Sequence, residues 1–209
     1  TWDTQSRLHI DVQTREAKLR MDAEKQADWS VDAEVEVHPP KGGTIKGRVL
    51  MKPGQAIGTL EGDRVHLSLG KTDIEFSGKL KLQDQDFSLL GALAAQGGTL
   101  GVSGDGALAD VLPGLESFGF QKSDNGYAFE ANLASVDLAQ LQLPLPPHLS
   151  GRISGNALWT EGSGNIVLKT DKLTLAGEDF AARLEGTFSD DDWRLRGNLG
   201  DSNLIGNVT

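Results

Sequence analysis

Trp29-Ser30-Val31-Asp32-Ala33-Glu34-Val35-Glu36-Val37 sets an apolar side chain at every second position, with polar and mostly acidic residues between. Side chains alternate across a β-strand, so this segment forms a strand with one apolar and one wetted face. Ile74, Phe76, Gly78, Leu80 and Leu82 repeat the rhythm against Asp73, Glu75, Ser77, Lys79 and Lys81. Leu8, Ile10 and Val12 alternate with His9, Asp11 and Gln13. Ala17, Leu19, Met21 and Ala23 have helix-friendly neighbours, but a spacing of two would straddle a helix face, so the period reads as strand. Little helical pattern remains to cover the apolar side. A large sheet with such a face must roll up, pair with another sheet, or keep the face for a hydrophobic guest.

Working outward, the Trp29 strand ends at Pro39-Pro40, and Gly42-Gly43 turns into Ile45, Gly47 and Val49. Pro53-Gly54 makes a second turn, and Glu61-Gly62-Asp63 is expected to reverse the chain into Val65, Leu67 and Leu69. From Asp84 to Gln96, Phe87, Leu89 and Leu90 fit a strand or a helical turn. Leu100 and Val102 resume the alternation. Asp124-Asn125-Gly126 lies between Phe118/Phe120 and Tyr127, Phe129, Ala131 and Leu133, which reads as a hairpin because both Asn and Gly tolerate positive φ. Residues 135–143 make the best helix candidate, capped by Ser135 or Asp137 and stopped by Pro144, Pro146 and Pro147. Ile153 and Trp159, Ile166 and Leu168, Leu173 and Leu175, Leu184 and Phe188, then Trp193, Leu195 and Leu199 supply the apolar rows of the remaining strands. At about ten residues per strand and turn, the chain fits an antiparallel meander of roughly fifteen strands. One continuous sheet of that kind is on the order of 70 Å across its strands, enough to make an open sheet curl or split. The expected fold is all-β: an elongated, curved, mostly antiparallel sheet folded lengthwise into a groove with an apolar lining. Residues 1–209 are read as one such unit, with a division into two β units near 97–110 as the alternative.

Composition narrows the function. The net charge of −10 argues against nucleic acid, which needs a basic surface, and against simple electrostatic docking on an anionic membrane. There is no cysteine, hence no disulfide framework and no thiolate or cysteine–zinc chemistry. The 26 glycines follow no collagen period and fall at turns and inside strand patterns. No stretch reaches the ~18 apolar residues of a membrane span. The opening Thr1-Trp2-Asp3-Thr4-Gln5 lacks the features of a signal peptide, and the chain reads as a piece of a longer protein.

Candidate chemistry is thin. His9 and His66 fall on the polar parity of their strands, and His38 and His148 adjoin prolines, so all four read as solvated. Asp84/Asp86 and Asp190-Asp191-Asp192 could offer oxygen ligands to calcium, but they lack the spacing of a calcium loop and read as acidic turns. Residues 101–106 are glycine-rich yet carry no lysine and no following helix, unlike a phosphate loop. No nucleophile-elbow motif occurs. The expectation is no enzyme, no metal and no cofactor. The apolar parity is the one constellation left, and it names the candidate lining: Leu8, Ile10, Trp29, Val31, Val35, Val37, Ile45, Val49, Leu67, Leu69, Ile74, Phe76, Leu80, Leu82, Leu100, Val102, Phe129, Leu133, Ile153, Trp159, Ile166, Leu168, Leu173, Leu175, Leu184, Phe188, Trp193, Leu195 and Leu199. Glycines at the same parity, such as Gly47, Gly155, Gly186 and Gly197, are expected to leave room along a curved sheet.

Ser135-Val136-Asp137-Leu138-Ala139-Gln140-Leu141 through Pro147, followed by Leu149-Ser150-Gly151-Arg152-Ile153-Ser154-Gly155-Asn156-Ala157-Leu158-Trp159, resembles the AsmA/TamB family of bacterial envelope proteins. Leu175-Ala176-Gly177, Leu184-Glu185-Gly186-Thr187-Phe188 and Trp193 to Leu199 are similar to the strands that follow in those repeats. The resemblance implies a hydrophobic groove that conducts phospholipid acyl chains between inner and outer membranes, or assists the assembly of outer-membrane barrel proteins. It also implies a periplasmic location with an inner-membrane anchor outside this chain. It assigns no catalytic residue, and the acidic balance is not part of the family pattern. A lipopolysaccharide-transport-like jelly roll would share the groove but favour a basic rim. A structural or adhesin-type sandwich or solenoid, with its apolar row sealed inside, is the reading from a different class.

Overall fold

The computed structural model describes residues 6–14, 17–25, 28–69, 72–140, 149–189 and 192–208. Alternation is converted into strands almost throughout: β1 (Ser6–Gln13), β2 (Ala17–Lys25), β3 (Trp29–Val37), β4 (Thr44–Lys52), β5 (Gln55–Leu69), β6 (Thr72–Asp84), β7 (Asp86–Ala95) and β8 (Gly98–Ala107). One short helix, α1 (Leu108–Val111), and a 3-10 turn over Leu115–Phe118 interrupt them. Then come β9 (Tyr127–Asp137), a 3-10 turn over Leu138–Gln140, β10 (Leu149–Thr160), β11 (Ser163–Leu175), β12 (Glu178–Ser189), β13 (Asp192–Leu199) and β14 (Ser202–Val208). The strands form one 14-stranded sheet in strict sequence order, an open meander in which β1 and β14 are the edges. The fold is all-β, as the period of two requires.

The chain divides into two compact units. The first comprises the described residues up to Leu67 together with Phe76–Gly91 and Gly104–Tyr127; the second comprises Ser68–Glu75, Ala92–Ser103 and the residues from Ala128 onward. In the first unit the register stacks like on like. Ile10 stands opposite Met21, Met21 opposite Ala33, and Ala33 opposite Val49. On the other face Asp11, Arg20, Glu34 and Arg48 face one another in turn, as do Lys18, Glu36, Lys46 and Glu61. These rows alternate in sign from strand to strand, so that opposite charges face each other across the ladder. Much of the charge is thus arranged as cross-strand ladders instead of a uniform acidic coat. Lys79 Nζ continues the second row, 2.7 Å from Glu61 Oε1.

Three local expectations are corrected. Glu61-Gly62-Asp63 does not reverse the chain: β5 runs straight through it to Leu69. Arg64, at φ 45°, inserts a kink there, and the kink moves the buried parity from even (Ala56) to odd (Val65). The backbone N–H of Arg64 donates to Ser77 Oγ on β6 (3.0 Å), which keeps the kinked donor paired. The Asp124-Asn125-Gly126 turn is present but joins no hairpin, because Phe118 belongs to a 3-10 turn and the neighbours of β9 are β8 and β10. The helix expected from Ser135 is also absent over its first residues. Val136 and Asp137 instead pair with Ile153 and Arg152 on β10, and only Leu138–Gln140 coil. Ladder bonds to a neighbouring strand outweigh the small helix preference of these residues. The remainder of that candidate, with its three prolines, lies outside the described residues.

The small core sits mostly in the first unit. Ala56, Val65, Leu82, Phe87, Ala107, Leu108, Ala109 and Phe120 are buried there, against Val136 and Leu138 in the second. Residues 107–121 leave the sheet and fold back over it. Leu108 N–H donates to the Gln85 carbonyl (2.8 Å), Gln121 N–H to Gln85 Oε1 (2.8 Å), and Gly54 N–H to the Phe118 carbonyl (2.8 Å). The Phe118 ring meets Trp29 edge-on at 5.5 Å.

Candidate functional site

The expected lining divides between the two units. Leu8 to Leu67, with Phe76, Leu80 and Leu82, belong to the first; Leu69, Ile74, Leu100, Val102 and the residues from Phe129 onward belong to the second. Of these, Leu82 is buried in the small core. Leu8, Leu67, Trp159, Leu175, Leu184, Trp193, Leu195 and Leu199 are exposed. The Leu69 side chain lies outside the described residues, and the others are half-buried. The register also places side chains on this face that the expected lining omitted: Met21, Ala33, Met51 and Leu60 in the first unit, Ala157 and Ala182 in the second. Alternation in β2, β3, β4 and β5 carried the signal for the first four.

In the second unit the apolar face is built row by row across the strands. Phe129, Trp159, Gly164, Phe188 and Trp193 stand opposite one another on β9 to β13. Phe188 stacks on Trp193 at 4.8 Å and meets Trp159 edge-on at 5.4 Å, reaching it across Gly164. A Cβ at Gly164 would lie 2.2 Å from Phe188 Cζ, so the glycine's space is already filled by the ring. The next row reads Ala131, Ala157, Ile166, Gly186 and Leu195, and there Ile166 and Leu195 both lean over Gly186, within 3.0 Å of where its Cβ would be. Leu168 likewise covers Gly155, and Leu184 lies against Gly197. The inward glycines therefore do not leave the room expected of them. They let bulky neighbours lie down, which lowers the apolar surface and evens it out. In the first unit the Phe76 ring does the same over Gly62, Gly78 and Gly91, on β5, β6 and β7.

What results is an apolar surface in contact with solvent. Trp159 and Trp193 are 55% and 50% exposed despite their ring contacts. Beside them Leu138, Leu149, Ile153, Leu168, Leu173 and Leu184 surround a hollow of about 270 Å³, bordered by Lys169 and Arg183. Exposed apolar side chains gathered on one face are the kind of feature that marks an interaction site. Such a surface offers dispersion contact and removal of apolar area from water, with few polar groups to orient a ligand.

The titratable residues singled out in the sequence are dispersed on the wetted face. His9 pairs with Asp22, and His38 lies 3.3 Å from Glu36 and 3.4 Å from Thr44 Oγ1. The His66 backbone N–H donates to the Gly42 carbonyl. Asp84, at φ 59°, accepts from Gln55 Nε2 (2.7 Å) at the β6–β7 turn. His148, Asp190 and Asp191 lie outside the described residues. The hydrogen bond from Arg48 holds the Asp32 carboxyl below its ordinary value, and the one from Lys79 does so for Glu61. Comparison with known proteins returns no matching family model, no curated relative and no similar solved structure.

Proposed function

We propose that this protein is a conduit for hydrophobic ligands in the bacterial envelope, in which the apolar sheet face carries phospholipid acyl chains between inner and outer membranes while headgroups stay in water. The observation that carries the reading is the exposed aromatic and leucine surface on β10 to β13, where the side chains that a sandwich would bury stand in solvent. The AsmA/TamB-like stretch 135–159 points the same way, and with it come a periplasmic location and an anchor elsewhere in a longer chain. No covalent step belongs to this activity, and no cofactor is called for. Each methylene fully removed from water is worth ~0.8 kcal/mol, so half-covering roughly a dozen gives about 5 kcal/mol. That corresponds to weak binding, which suits a track that must release its cargo. Side chains lying flat over glycines support sliding, because they offer a chain few ridges to cross.

The test is photolabelling of the full chain with a phosphatidylcholine bearing a diazirine at the end of one acyl chain, followed by peptide mapping. Labels on the apolar rows, at residues such as Trp159, Leu184 and Leu195, are expected. Labels scattered equally over Glu185, Arg194 and Arg196, which face the other way, would sink the reading and favour a sealed structural or adhesin module. Assistance to outer-membrane barrel assembly is the second activity implied by the same resemblance, and cross-links to an unfolded barrel protein in place of lipid would favour it.

A further inference from the structure

At one level of the second unit three neighbouring ladders lose register together. The shift falls between Ile153 and Gly155 against β9, between Gly151 and Ser154 against β11, and between Thr170 and Leu173 on the β12 side of β11. Ser135, directly across on β9, has φ 50°, and Gly151 has φ 139°. A single bulge is ordinary; bulges aligned on three strands bend the sheet locally and redirect several side chains to one place. Here they open a cavity of about 470 Å³ lined by Arg152, Lys169 and Lys172 and by the hydroxyls of Ser135, Ser150 and Ser154. Ser150, Arg152 and Ser154 alternate along β10 with Leu149, Gly151 and Ile153, so the cavity opens on the wetted face.

The charge around it is out of keeping with a chain of net charge −10. Three cations line the cavity against one carboxylate, Asp171. Lys172 is the cation with a partner, Asp179, at 2.9 Å. The cross-strand neighbour of Arg152 is Asp137, but its carboxylate accepts from Ala139 N–H (3.0 Å) and Gln140 Nε2 (3.3 Å). Among the described residues Arg152 therefore has no ion pair. Lys169 stands opposite Arg183, a like charge, whose own partner is Glu185. Like charges opposed across a ladder repel, and neither Arg152 nor Lys169 has an ion-pair partner among the described residues. Thr170, the one buried polar residue among the described residues, lines the cavity, and its Oγ1 accepts from the Lys172 N–H (3.2 Å) at the bulge.

We propose that this cavity binds a phosphate group. An arginine fork gives paired donors to a tetrahedral oxyanion, a lysine supplies a second positive charge, and serine hydroxyls donate to the remaining oxygens. The group could arrive on a soluble phosphate compound or as the headgroup of a lipid. Ile153, Lys169 and Thr170 border the apolar hollow as well, so the test reads phosphate binding and not acyl-chain uptake.

The experiment titrates the full chain with inorganic phosphate while amide resonances are followed. In parallel, flotation is measured on phosphatidylcholine vesicles with and without phosphatidylglycerol. Saturable shifts centred on residues 150–154 and 169–172 are expected. Binding should weaken about tenfold or more in Arg152→Gln/Lys169→Gln, which removes two charged donors, and should be unchanged in Lys46→Gln on β4. Both replaced side chains are exposed, so the melting temperature should hold. Saturation by phosphate without added retention on phosphatidylglycerol vesicles assigns a soluble source; retention lost in the double variant assigns a headgroup. Shifts that never saturate, or that centre elsewhere, or an unchanged affinity in the double variant, overturn the site whatever the vesicles do.

Discussion

Asp32 on β3 and Arg48 on β4 make a bidentate ion pair on the charged face: Nε and Nη2 each donate to a different carboxylate oxygen. The hydrogen bond from Arg48 depresses the Asp32 carboxyl. A carboxyl depressed in the folded state adds stability above its unfolded value, near pH ~4, and loses it as pH falls through the folded value. Asp32→Asn should therefore destabilise by about 0.5 kcal/mol at neutral pH and low salt, because the pair is solvent-accessible and screened. Urea melts of the two proteins should converge as pH is lowered from about 4; a difference that persists unchanged at low pH would show that packing, not charge, is responsible. At Gly164 the reasoning is steric. Gly164→Ala drives a methyl into the Phe188 ring and to 2.7 Å from the Leu158 carbonyl, neither of which can simply swing away. Overpacking of this sort costs ~1–3 kcal/mol. The Phe188–Trp193 stack should loosen with it, visible as a change in tryptophan emission at a lowered melting temperature.

Among the elements, the segment over residues 107–121 is the one that adds a core beside the β4–β5 and β6–β7 turns. Phe120 is 2% exposed there, and Phe120→Ala should cost ~3–5 kcal/mol, measured by denaturant unfolding. A loss below ~1 kcal/mol would mean that the segment rests on the sheet without contributing to its stability. This segment was not legible in the sequence. Phe118 and Phe120 share a parity with Gly119 between them, which mimics two steps of a strand, and the Asn125-Gly126 turn completed the resemblance to a hairpin. What overrides it is tertiary: Phe120 is buried, and the segment is tied to residues far off in sequence by Gly54 N–H to the Phe118 carbonyl and Gln121 N–H to Gln85 Oε1. The strands themselves were legible because a period of two is set by neighbouring residues alone. Kinks at Arg64 and Ser135 were not, since neither residue type advertises a positive φ. For the same reason the aligned bulges across β9, β10 and β11, and the basic cavity they open, carry no sequence signature beyond a spread of serines and lysines.

At the scale of the molecule, the 14-stranded meander leaves apolar side chains exposed on β10 to β13, Trp159, Leu184, Trp193 and Leu195 among them. The apolar parity told where the apolar face runs. It could not tell that glycines would be covered by their neighbours, because the covering depends on cross-strand register. A pair of equally exposed leucines on opposite faces separates function from stability. Leu184 on β12 lies in the apolar row and is 36% exposed; Leu158 on β10 stands opposite Glu130 and Asn165 on the charged face and is 38% exposed. Both can accept a carboxylate at the surface with similar, small effects on folding. The most direct measurement is a titration of the wild type, Leu184→Glu and Leu158→Glu with a fluorescent fatty acid whose emission rises in an apolar site. Uptake by the wild type and by Leu158→Glu, with loss of about tenfold or more in affinity for Leu184→Glu where a charge meets the hydrocarbon, is the predicted result. Equal uptake by all three proteins, or none by the wild type, would contradict an acyl-chain surface.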